Sequence, residues 1–121
     1  MSVPGAKERI HQAMIECDGV ISGIHRFGGI EYKLGKREIG HIHGNHLVDI
    51  PFPKKIRNEI VEKGEAQPHH VLPESGWVSI YLHNENDVER AINLLSRSYA
   101  LAVEHFSAIR NEDKQDIKLF L

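Results

Sequence analysis

The stretch Arg37-Glu38-Ile39-Gly40-His41-Ile42-His43-Gly44-Asn45-His46-Leu47-Val48-Asp49-Ile50 decides how the chain is read. Arg37 to His43 reads as a strand, Gly44-Asn45 supplies a tight turn, and His46 to Ile50 reads as a strand running back. Residues two apart on a strand project from one face, so His41 and His43 share a side. His46 stands just across the turn. A hairpin of this kind can present two or three imidazoles to one metal ion. His41, His43 and His46 are therefore candidate ligands for a divalent ion such as zinc. Glu38 and Asp49 are the carboxylates at hand, and Asp49 is also placed to orient one of the rings.

Upstream, Val20 to Arg26 reads as a strand, with Gly28-Gly29 as a turn after it. Ile30, Tyr32 and Leu34 then alternate with Glu31 and Lys33, and Gly35-Lys36 turns the chain again. Four strands joined by such short turns predict an antiparallel meander. Before them, Ala6, Ile10, Ala13, Met14 and Cys17 keep helical spacing, and Asp18-Gly19 ends the helix. After them, Pro51-Phe52-Pro53 closes the meander. Ile56, Ile60 and Val61 mark a middle helix that Gly64 ends. Ala66 to Pro73 reads as a linker or short strand.

Trp77 to His83 is a further strand. Val78, Ile80 and Leu82 lie on one face, Trp77, Ser79, Tyr81 and His83 on the other. The last helix is expected from Asn86, with Glu89 completing a capping box. Val88, Ala91, Ile92, Leu95, Tyr99, Ala102 and Val103 carry it to about His105. This order predicts one α+β domain over residues 1–121. Its antiparallel sheet has a four-strand meander plus one or two further strands, with an N-terminal, a middle and a long C-terminal helix.

Composition removes several classes. Among 121 residues, 40% are hydrophobic and 26% charged, so a core can form. Lys+Arg is 15 against 17 Asp+Glu, a net charge of −2. That balance speaks against nucleic acid as a partner. The basic run Lys54, Lys55, Arg57 reads as a solvated helix face. The single cysteine, Cys17, excludes an internal disulfide and a cysteine-based zinc site. No apolar run approaches the roughly 20 residues of a membrane span, and no signal-peptide pattern opens the chain. A cytoplasmic protein with no membrane partner is the expectation. No dinucleotide fingerprint or P-loop occurs.

Several segments together carry a family resemblance. They are Phe27-Gly28-Gly29-Ile30-Glu31-Tyr32-Lys33-Leu34-Gly35, Arg37-Glu38-Ile39-Gly40-His41-Ile42-His43-Gly44, Asp49-Ile50-Pro51-Phe52, His69-His70-Val71-Leu72-Pro73 and Ser75-Gly76-Trp77-Val78-Ser79. In that order they resemble the small luciferase-domain family of bacterial and fungal proteins, over residues 20 to 105. The resemblance implies that Gly40-His41-Ile42-His43, His69-His70 and Ser75-Gly76-Trp77 belong to the family's motif core. It brings no catalytic residues with it, and nothing in the chain supports light emission. At the level of fold alone, Trp77 to Leu82 and Asn93 to Tyr99 also resemble double-wing domains of the MmcQ/YjbR type.

Three functions follow as expectations. The first is a small binding or accessory domain with a small-molecule site lined by His41, His43, His69, His70, Ser75, Trp77 and Tyr81. The second is a histidine-dependent enzyme, in one version metal-assisted. The third is a homodimer built on the C-terminal helix and the apolar tail Leu119-Phe120-Leu121.

Overall fold

The computed structural model describes residues 2–119, with side chains described for residues 2–109. The order is α1 (Ala6–Ile15), β1 (Val20–Ile24), β2 (Ile30–Leu34), β3 (Arg37–His43), β4 (Leu47–Pro51), α2 (Lys54–Glu62), β5 (Gln67–Pro68), β6 (Trp77–Tyr81) and α3 (Glu85–Leu119). The six strands form one antiparallel sheet in the order β1-β2-β3-β4-β6-β5. The meander is as the turns predict, and β6 joins its open edge.

One face of the sheet carries the core. Tyr32, Ile42, Val48, Ile50, Val78 and Ile80 are buried there with Ile10 and Met14 of α1 and with Val88, Ala91 and Leu95 of α3. Tyr32 is tied to α1 through His11, whose Nδ1 lies 2.8 Å from its hydroxyl. At Gly40 α3 packs close against β3. A Cβ built there would stand 2.5 Å from Leu95 Cδ2 and 3.0 Å from the Asp49 carbonyl. Only glycine lets the helix approach so near. The β3–β4 turn also anchors α1, since Asn45 Oδ1 accepts the Lys7 N–H at 2.8 Å.

Two local expectations need correction. Asn86 does not cap the last helix; Asn84 does. Asn84 Oδ1 accepts the Asp87 N–H at 3.0 Å, and Asp87 Oδ2 accepts the Asn84 N–H at 3.2 Å. The capping box is thus Asn84 and Asp87, two residues before the expected pair. The helix also runs beyond His105, to Leu119. The polar segment beyond Arg110 contains no glycine or proline to stop it. Of the tail expected to aid self-association, Phe120 and Leu121 lie outside the described residues, as does the Leu119 side chain. Among the described residues, no helix is long and apolar enough to cross a membrane.

Strand register on the other face lines up the chemistry. Glu31 pairs with His41, His41 with Asp49, Asp49 with Ser79 and Ser79 with Gln67. One row of mostly polar residues therefore crosses five strands, on the side away from the core. Flanking it are a row with His43, Leu47 and Tyr81 and a row with Pro51 and Trp77.

Candidate functional site

Asp49 is the centre of this face and is fully buried. Its Oδ1 accepts a hydrogen bond from the Ser79 hydroxyl at 2.6 Å. Its Oδ2 meets four imidazoles at once. The Nε2 atoms of His41, His43, His70 and His69 stand 3.1, 3.2, 3.2 and 3.5 Å from it. A carboxylate oxygen offers roughly two lone-pair sites. Four ring nitrogens exceed what hydrogen bonding to one oxygen can satisfy.

The partners on the far side of each ring sort the histidines. His41 Nδ1 lies 2.9 Å from Glu38 Oε2. A proton held there leaves the Nε2 lone pair free to face a cation, the carboxylate–histidine–metal arrangement. His69 is the opposite case. Its Nδ1 accepts the Val71 and Leu72 N–H groups at 3.1 and 3.0 Å, so in the neutral ring the proton sits on Nε2. His69 thus donates toward Asp49 and steadies the carboxylate. Two sets share this carboxylate: His41 and His43 with Asp49, and His69 and His70 with Asp49. Each has its donor atoms within 4.8 Å of one another, and the Nδ1 bonds of His69 favour the first. His70 reaches the same oxygen from the opposite loop. His25, Glu38 and His41 form a neighbouring group that shares His41.

Glu38 faces His41 because of a bulge. Tyr32 pairs with Gly40 while Lys33 pairs with Glu38, so Ile39 is an extra residue in β3. Ile39 turns into the core, and Glu38 returns to the histidine face. Ser98 of α3 pins the bulge, donating to the Ile39 carbonyl at 2.8 Å.

Not every expected residue arrives. His41, His43, His69, His70 and Trp77 share a cavity of about 480 Å³ with Asp49. His46 does not join them. It lies in the β3–β4 turn, exposed, and its backbone bonds to His43 and Leu82. Its side chain falls outside the strand alternation that aims His41 and His43. Ser75 stays in the loop, where its hydroxyl donates to the Leu72 carbonyl and accepts the Trp77 N–H. Tyr81 is on the same face but farther along, opposite Leu47 and stacked on His83. Sequence reading missed His25, whose ring stacks on His41 at a centroid distance of 4.0 Å, and Phe27, Val71 and Leu72, which line the cavity. Val71 and Leu72 directly follow His69-His70, a signal available from the sequence, whereas Phe27 neighbours only His25.

The electrostatics follow from burial and pairing. Burial alone would lower the His41 pKa, but the Asp49 and Glu38 carboxylates outweigh it and hold it at about 9. Burial would likewise raise Asp49, yet His41, Ser79 and His70 hold it well below the usual carboxylate range. Burial pushes His43 and His69 down, with neighbouring histidines adding to it and the Asp49 carboxylate opposing it. In metal-free protein His41 therefore carries the proton between Glu38 and Asp49.

A pH optimum is expected from these shifts. A raised histidine stabilises the fold fully below its unfolded pKa of about 6.5, and that contribution is lost as pH rises through about 9. The lowered His43 and His69 act oppositely, costing stability as pH falls below about 6.5. The melting temperature of chelator-treated protein should peak near neutrality and fall between about pH 7 and 9. His41→Gln should flatten the alkaline fall; an unchanged alkaline limb in that variant would refute the assignment.

A family model described as luciferase domain matches residues 36–98, just over half of the chain. The match contains every residue of the Asp49 cluster named above except His25, Phe27 and Glu31. Comparison with curated proteins and with solved structures gives no match.

Proposed function

The chain belongs to the luciferase-domain family, a label that carries no activity with it, and we propose that the domain binds a divalent transition-metal ion at Asp49 and holds a small molecule against it. One observation carries the reading: four imidazole nitrogens converge on a single buried carboxylate oxygen. Two donors on one ion, each at about 2.1 Å and subtending 90–110°, stand about 3.0–3.4 Å apart. His41 and His43 stand 3.1 and 3.2 Å from Oδ2. The spacing suits shared ligation of an ion.

The surroundings suit the same role. Glu38 fixes the His41 tautomer, and Ser79 occupies the oxygen that an ion would not need. Two histidines and one carboxylate leave coordination positions open, the pattern of sites that bind a substrate or water on the metal. Imidazole and carboxylate donors suit zinc, iron or cobalt rather than calcium or magnesium. The ion would supply Lewis acidity; the chain supplies the buried anion and the oriented rings.

The test is metal analysis of full-length protein purified without a histidine tag, followed by zinc titration after chelation. About one tightly bound ion per chain is expected, and none in the His41→Ala/His43→Ala variant. Equal, sub-stoichiometric metal in both proteins would overturn the reading. The Glu38–His41–Asp49 chain would then favour a second one, in which the doubly paired His41 acts in proton transfer without metal.

A further inference from the structure

The cavity beside the histidines has an apolar lip. Phe27, Val71 and Leu72 line it and are 74%, 68% and 52% exposed. Single exposed hydrophobic residues need no explanation, but three gathered on the rim of one cavity do. Trp77 provides the wall beneath them, with its ring 5.2 Å from that of His41.

These residues are held by the histidines themselves. The Phe27 N–H donates to His25 Nδ1 at 3.3 Å, and the Val71 and Leu72 N–H groups donate to His69 Nδ1. Each ring thus fixes the loop that carries an apolar side chain to the rim. Polar floor and apolar lip are one construction. The volume, about 480 Å³, is within the usual range of small-molecule pockets.

We infer that the ligand is a small molecule with an apolar body and one oxygen head group, a carboxylate or a hydroxamate-like chelator. The head group takes an open position on the ion at His41, His43 and Asp49. The body lies along Trp77 and under Phe27, Val71 and Leu72. The head-group half rests on the metal reading above; the apolar half rests on the lip alone.

Trp77 is the single tryptophan of the chain, so its emission reports directly on the pocket. The experiment titrates untagged full-length protein with acetohydroxamate, butanohydroxamate and octanohydroxamate, with zinc and after chelation. The matching 1-alkanols serve as controls that lack the chelating head. Each buried methylene should tighten binding about fourfold until the cavity is filled. Octanohydroxamate should therefore bind zinc-loaded protein at least about a hundredfold more tightly than acetohydroxamate. Zinc should strengthen the hydroxamates and leave the alkanols unchanged.

Phe27→Ser/Leu72→Ser, two exposed positions, should cut the length effect to under about tenfold while the far-ultraviolet circular dichroism stays the same. Affinity independent of chain length, with and without zinc, overturns the inference. So does a length effect that survives intact in the double variant, or bound zinc that leaves hydroxamate affinity unchanged. If the protein takes up no zinc, the metal reading and the head group fall together, and the length series on metal-free protein decides the apolar body.

Discussion

Asp49→Asn should weaken zinc binding by about a hundredfold or more, measured by competition with a chromogenic chelator. Changing a group that only supports a metal ligand typically costs about 10–100-fold. In the proposed site Asp49 would be a ligand itself, so its loss belongs at or beyond the top of that range. Asparagine keeps the shape and can still accept the Ser79 hydroxyl at its carbonyl oxygen. It removes the negative charge and turns an N–H₂ group toward rings that now face a carboxylate oxygen. Glu38→Gln, which keeps a weaker partner for His41 Nδ1, should fall between wild type and Asp49→Asn. Zinc affinity in Asp49→Asn within about fivefold of wild type would show that the cluster is not organised around this carboxylate.

Gly40→Ala should destabilise the domain by about 1–3 kcal/mol in urea unfolding, the usual cost of overpacking a core. The added methyl would meet Leu95 Cδ2 at 2.5 Å and the Asp49 carbonyl at 3.0 Å. Leu95→Ala should by itself cost about 2–5 kcal/mol, because it empties a fully buried position. In the double variant the methyl enters the space that leucine leaves. The combined loss should then be smaller than the sum of the single losses. Simple additivity would mean that the contact between β3 and α3 is not the reason for glycine at this position. The experiment also probes the site, since Gly40 precedes His41 and its displacement would carry the ring away from Asp49.

How much of this could be read from the sequence depends on what each feature needs. The meander needs only alternation and glycine-marked turns, and Arg37–His43 is a strand to the residue. That His41 and His43 share a face follows from the period of two. The family match over residues 36–98 agrees with the resemblance carried by the motifs from Arg37 to Ser79. Glu38 is a different matter. Regular alternation puts it on the core side of β3, and only the extra residue at Ile39 brings it back. The bulge is set by pairing with β2 and by Ser98, 59 residues away, and nothing local announces it.

His46 fails for the converse reason. Local spacing puts it beside the pair, but the turn continues through it and breaks the alternation. His69 and His70 enter through the motifs of the family resemblance. Their convergence on Asp49 depends on how the loop before β6 folds back, which strand periodicity does not encode.

The spacing of the Asp49 partners has a kinetic side. His43 and His41 lie 6 and 8 residues from Asp49, within one hairpin, whereas His70 and Ser79 lie 21 and 30 residues away. Closing the short loop costs less chain entropy, so the hairpin donors can gather before β6 arrives. An ion present during refolding would meet a half-built site made of β3 and β4 alone. A one-residue slip between those strands would send Asp49 to the other face and leave the ion with imidazoles only. The cation would then act as a proofreader of strand pairing, retaining the correct alignment while the rest of the chain finds its place.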